Sequence, residues 1–325
     1  MKKTVPIILL LVTIFVMAMV GCATNQTAEN EKKTIGIIQY VEHNALDAAR
    51  EGFIKALSDN GYVDGENIIL DIQNAQADQS NLATISDRFV SNKVDLVLAI
   101  ATPAAQSIAG KTKEIPILGT AITDYVAAKL VNSNEAPGGN VSGTTDMNPI
   151  KEQIDLLVKL VPDAKTVGVL YTSSEENSRV QAKIAKEAIE ALGLTYTEVT
   201  VTNSNDVQQA TQSIVDKCDA IYLPTDNIIA SSMPVIYGIT SQSKTPVICG
   251  ESGMVENGGL ATLGINYYDL GYKTGLMAIK ILKGEALPAT MPIESADKFD
   301  FAINGTVAKE IGIEIPDDLA EYVIK

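Results

Sequence analysis

Histidine is almost missing from this 325-residue chain, which has His43 alone. That leaves next to no raw material for imidazole-based metal sites or for Ser-His and Cys-His nucleophile pairs. Cysteine is nearly as scarce, with only Cys218 and Cys249 beyond Cys22. Two thiols at that separation match no zinc or iron–sulfur spacing, and each borders an apolar run, so buried apolar thiols are expected. Basic residues are outnumbered, 25 Lys plus Arg against 40 Asp plus Glu, for a net charge of −15. A chain of that charge does not recruit nucleic acid and has no electrostatic hold on anionic lipid headgroups. Long apolar runs are limited to one, Val5 to Val20, whose 16 residues fall short of the roughly 20 that a spanning helix needs. Gly138-Gly139 is too short and misplaced for a phosphate cradle, and no nucleophile elbow accompanies the scattered carboxylates.

The one apolar run follows Met1-Lys2-Lys3, ends at Gly21-Cys22 and gives way to polar residues, the layout of a secretory signal with its cleavage site. Val20-Gly21-Cys22 resembles the bacterial lipobox, with Met19 where leucine is usual. That resemblance implies a lipidated Cys22 as the mature N-terminus, and hence attachment to the outer face of the cell membrane through lipid chains. The expected organisation is a signal peptide over 1–21 and a lipidated tether over 22–33, whose polar, aperiodic residues suit a flexible leash. Loss of Lys2 and Lys3 with the leader takes the charge to −17.

From Thr34 onward, short apolar runs alternate with amphipathic stretches. Thr34–Tyr40, Ile68–Ile72, Leu96–Ile100 and Ile115–Leu118 read as strands, with helical spacing over Leu46–Ser58, Asn81–Val90 and Ala104–Ile108 between them. A second series has strands at Thr166–Leu170, Tyr196–Val201, Ala220–Leu223, Val247–Cys249 and Leu260–Leu263. Helices are expected over Ile150–Leu160, Ser178–Leu192, Val207–Val215 and Tyr268–Lys283. Strand and helix in repeated succession predict parallel sheets with right-handed crossovers. The fold class expected is therefore α/β, with two doubly wound parallel-sheet lobes joined by hinge crossings near 140–146, 264–267 and 298–304. The first lobe would take 34–146 plus about 268–297, and the second 147–267 plus about 298–325.

Open parallel sheets bind ligands beyond the carboxyl ends of their strands, so the residues that matter belong in the loops after each apolar run. Those loops hold Glu42 and His43, Thr102, Thr123 and Asp124, Ser173, Ser174 and Asn177, Asp226 and Asn227, and Glu251. Ser173 and Ser174 precede a helix and Thr102 opens another with Pro103 in its first turn, so each is either an ordinary N-cap or a hold for an anionic ligand group. Asp124, Asp226 and Glu251 are either turn and cap residues or partners for a ligand ammonium. His43 is a ligand contact or a satisfied surface residue, and Tyr40, Tyr171 and Tyr267 would flank an apolar side chain.

Together, GIIQYVEHNALDAAREGF from Gly36, ATPAAQS from Ala101, TDYVAAKLV from Thr123, GGNVSGTTD from Gly138, VGVLYTSSEENS from Val167, YLPTDN from Tyr222 and GGLATLGINYYDLGYKTG from Gly258 carry a resemblance. In order and spacing these blocks are similar to the bacterial ABC-transporter substrate-binding proteins whose better understood members bind tryptophan, tyrosine and phenylalanine. The resemblance implies a periplasmic-binding-protein type I fold that closes over a small ligand and docks on permease subunits. It places ligand contacts at the eleven loop residues named above. Proline is more usual in that group at Asn44 and Tyr125, and glycine at Lys129. The expected function is capture of an amino acid, aromatic or bulky apolar, by a monomeric, non-enzymatic protein without cofactor or metal. The carboxylate would rest on Ser173 and Ser174 and the ammonium on Asp226. The rivals are an extracytoplasmic sensor for a receptor and a lipoprotein enzyme acting on a small acid.

Overall fold

The structure, a computed structural model, describes residues 32–324; the leader, Cys22 and nearly all of the tether lie outside the described residues. Twelve strands follow one another among them: β1 (Lys33–Gln39), β2 (Ile68–Asn74), β3 (Leu96–Ile100), β4 (Ile117–Ile122), β5 (Val141–Thr145), β6 (Thr166–Thr172), β7 (Thr195–Val201), β8 (Ala220–Leu223), β9 (Val247–Cys249), β10 (Ala261–Gly264), β11 (Glu294–Ser295) and β12 (Asp300–Ile303). They form two six-stranded sheets, ordered β11-β5-β4-β3-β1-β2 and β12-β10-β9-β8-β6-β7.

Every pair in the first sheet is parallel. Central strands β3 and β4 are buried along their whole length, as their unbroken apolar runs require, whereas edge strands β2 and β7 are mostly half-buried or exposed. The second sheet is parallel except that β12 runs antiparallel to β10. β12 enters directly from the neighbouring sheet with no crossover helix to reverse it, so the opposite direction is open to it. The two doubly wound α/β sheets expected from the sequence are thus present. The expected 140–146 extended stretch is largely β5 itself, and the chain passes between sheets after Thr145, after Gly264 and after Ser295.

A helix over Met233–Ser243 was hidden in the sequence because Pro234 interrupts it, yet proline in a first turn costs nothing. Two short helices, Asn227–Ser231 and Ser252–Glu256, begin at Asp226 and Glu251, whose side chains accept from backbone N–H groups of the first turn. Both body cysteines are free thiols. Burial pushes Cys218 up to about 11 and Cys249 upward as well.

One contact ties a late segment of chain to the first sheet. The Asn44–Asp59 helix turns Ala49, Gly52, Phe53 and Ala56 inward at helical spacing and packs against the Tyr267–Leu282 helix. Gly52, Gly271 and Gly275 let the two backbones approach. A methyl group at Gly271 would stand 1.9 Å from the Ala49 carbonyl oxygen, and one at Gly52 2.0 Å from that of Tyr268. Backbone cannot yield cheaply at such distances, so Gly271→Ala is expected to destabilise by about 1–3 kcal/mol, read as a lowered thermal midpoint. An unchanged midpoint would show that the helices can slide apart freely.

Candidate functional site

The carboxyl-terminal ends of β1, β3, β4, β6, β8 and β9 deliver loops from both sheets to a common cleft, the position that strand polarity predicts. A narrow cavity there is lined by residues of both sheets' loops, among them His43, Thr123, Asp146, Asn177, Asn227 and Tyr267. Apolar wall comes from Leu46, Ala121 and Ala230. No lysine or arginine lines it.

Of the residues expected from sequence, His43, Thr123, Asn177, Asp226, Asn227 and Glu251 line this cavity. Glu42 is exposed, and Asp124 spends its carboxylate on the N–H groups of Val126 and Ala127. Ser173 and Ser174 turn away: their hydroxyls donate to the carbonyls of Val201 and Thr202 at the end of β7. The helix that follows them begins at Glu176. Tyr171 likewise leaves the cleft, its hydroxyl donating to Glu198. Thr102 is 1% exposed at the N-terminus of the Thr102–Lys111 helix, and its hydroxyl has no partner. The preceding Ala101 holds φ of +80°, backbone that only glycine adopts without cost. Ala121 in the cavity wall is also left-handed, at φ +55°.

Asp226 is fully engaged by the protein. Its Oδ2 accepts from the Thr172 N–H at 2.6 Å and the Ser178 hydroxyl at 2.7 Å, and its Oδ1 from the Thr172 hydroxyl at 2.8 Å and the Ile229 N–H at 2.9 Å. Four donors saturate a carboxylate.

The adjacent Glu175, absent from the sequence-derived set, is different. It is 1% exposed; its Oε2 accepts from the side-chain amides of Asn177 and Asn227, while Oε1 has no partner. Desolvation, then the nearby Asp226 carboxylate, pushes Glu175 up to about 8. Asn177 Oδ1 and His43 Nδ1 are also buried and unpartnered, and burial drives His43 down to about 4, so the ring is neutral. Glutamate ranks low among helix caps, and placing one just ahead of the helix after two serines was the available signal for Glu175.

Asp146 and Tyr267 complete the wall, with Gln181 behind it. Tyr267 donates to Asp146 Oδ2 at 2.8 Å, and Thr123 donates to its Oδ1 at 3.0 Å. Gln181, fully buried, donates to the Thr123 hydroxyl at 3.2 Å. That bond crosses the cleft, as do His43 Nε2 to Asn227 Oδ1 at 3.4 Å and Asn44 to Glu256 at 2.8 Å.

Two parallel-sheet lobes meeting over a small polar cavity are the architecture of a solute-binding protein. The chain belongs to the ABC transporter substrate binding protein family, whose model matches residues 34–325. It is 42% identical, over 95% of its length and 92% of the relative's, to a tyrosine-binding protein of Clostridioides difficile. Among solved structures, the ABC domain in complex with L-Trp from Streptococcus pneumonia is 40% identical, with a TM-score of 0.87 over 90% of this chain and all of that one. The ligand-free, open structure of a Clostridium difficile substrate binding protein with adhesive properties is 49% identical but superposes at only 0.69, covering 90% of this chain and 99% of its own. The fold is that of the type I periplasmic binding proteins.

Removing Asp226's charge should harm the protein itself. Asp226→Asn turns its NH2 toward the backbone N–H of Thr172 or of Ile229, neither of which can accept, and a loss of about 2 kcal/mol is expected in the ligand-free protein. Glu175→Gln should leave ligand-free stability unchanged or raised. Equal melting curves for wild type and Asp226→Asn would contradict the saturated geometry.

Proposed function

We propose that this chain captures a free aromatic amino acid outside the cell and presents it, enclosed, to the permease subunits of an importer. The carrying observation is Glu175 Oε1, a buried carboxyl oxygen with no partner, directly behind Asn177 and Asn227 of a cavity wall that has no lysine or arginine. A ligand ammonium is the complement such an oxygen requires. The ammonium is therefore assigned to Glu175 rather than to Asp226, with Asn177, Asn227 and His43 around it. The carboxylate is assigned to the Thr102 hydroxyl and the N-terminal end of its helix, from the facing lobe. Glu42, Asp124, Ser173 and Ser174 take no part in this assignment.

Three bonds across the cleft, and the better superposition on the L-Trp complex than on the open form, support closure as the bound state. In this reading the lobes divide at the three crossings, near 146–149, 265–266 and 296–299. The protein acts without covalent chemistry, as a monomer, and is anchored by lipid on Cys22.

A thermal-shift screen of the twenty amino acids tests the ligand class: the true ligand at about 100 times its Kd should add about 2.7 kcal/mol of stability. The reading fails if tyrosine, tryptophan and phenylalanine all leave the melt unmoved. Glu175→Gln should weaken binding about 30-fold or more, measured by calorimetry.

The pH dependence has a definite sign. Glu175 holds its proton more tightly folded than unfolded, so that proton stabilises the folded form at low pH, and the gain is lost as pH rises from the ordinary carboxyl range toward about 8. Glu251, pushed up to about 7 by burial, acts in the same direction over a narrower range. His43, lowered from 6.5 to about 4, acts oppositely, costing stability as pH falls through that interval. Between pH 6.5 and 8 the carboxyls act alone, so ligand-free stability should fall there. Affinity should rise over the same window, because the ammonium pairs with ionised Glu175. Glu175→Gln should flatten the affinity profile.

A further inference from the structure

Besides Asp226, two further buried carboxyls line the cavity, Asp146 and Glu251, together with the apolar side chains of Leu46, Ala121 and Ala230.

Asp146 is 4% exposed and no cation stands against it. Each of its oxygens accepts one bond, from Thr123 or from Tyr267, out of the two that a carboxylate oxygen can take. Both donors are themselves fixed: Gln181 donates to Thr123, and Tyr267 stands in the first turn of the long helix packed on Asn44–Asp59. The carboxyl is held still, facing the cavity, with acceptor capacity left over. Glu251 beside it accepts only from the backbone N–H groups of Gly253 and Met254. A ligand side chain that ends in hydrocarbon would bury these acceptors with nothing to satisfy them, the situation in which a polar site rejects an analogue lacking one donor.

Resting on the assignment of the ammonium to Glu175, we propose that Asp146 is the specificity-determining residue of this site. It accepts a hydrogen bond from a donor at the far end of the ligand's side chain, such as a phenol O–H or an indole N–H. The ligand class narrows from aromatic amino acids in general to those whose ring carries a donor. Thr123 and Tyr267 are positioning residues for that carboxyl.

Calorimetric titration of the full mature protein with tyrosine, tryptophan and phenylalanine tests this. Wild type should bind tyrosine or tryptophan at least tenfold more tightly than phenylalanine. Asp146→Asn should weaken the donor-bearing ligand more than phenylalanine and so shrink that ratio, while Glu175→Gln should weaken all three alike and keep it. Phenylalanine bound as tightly as both others by wild type overturns the proposal and leaves the amino-acid reading intact. Binding of none of the three instead removes the reading on which it rests. Should Asp146→Asn fail to fold, the wild-type ratio together with Tyr267→Phe, which frees one Asp146 oxygen without removing the acceptor, decides the matter: the preference for a donor must persist in that variant.

Discussion

Taking Glu175 out of water removes most of the solvation that keeps a carboxylate charged, and the amides of Asn177 and Asn227 restore part of it through one oxygen only. Asp226 next to it adds repulsion, not relief. The rest of the cleft is arranged around this constraint. Walls rich in acceptors and lacking cations cannot satisfy one another, so the enclosed state gains most when a positively charged guest supplies the missing donors. A neutral sugar could donate hydroxyl hydrogens to that oxygen but would bring no positive charge to it. Selectivity for a class of guest thus comes from an electrostatic deficit rather than from shape alone.

Closure itself rests on little. Three hydrogen bonds span the cleft, each worth about 1 kcal/mol net. That is too weak to lock the lobes and enough to favour the enclosed form once a guest adds its own contacts to both sides. On the first lobe's side, Ala101 and Ala121 hold left-handed backbone at the ends of β3 and β4. The helices beneath are held far more firmly, so the loops are displaced on rigid supports.

Much of the fold could be read from the chain. Fully apolar runs such as LVLAI and VIC announce strands covered on both faces, and the helical spacing of Leu46, Ala49, Phe53 and Leu57 announces what covers them. Less legible were elements without such contrast: β12 alternates only weakly, and Met233–Ser243 has little amphipathicity and begins with a proline. For the site, strand direction dictates which loops meet at the cleft, but side-chain direction within a loop is set by tertiary contacts. Ser173 and Glu175 are two residues apart, yet one turns to β7 and the other to Asn177 and Asn227 of the cavity wall. Asp226 could be recognised as buried and important, but not as saturated, since Thr172 and Ser178 reach it only in the folded chain. Asp146 and Gln181 carried no local signal at all.

The glycine-mediated seat of the Tyr267–Leu282 helix on the Asn44–Asp59 helix joins residues more than two hundred positions apart. The first lobe therefore lacks one of its covering helices, and strand β11, until nearly the whole chain is available. A lobe begun at residue 33 and finished near residue 295 has high contact order, and its closure is a late event in folding.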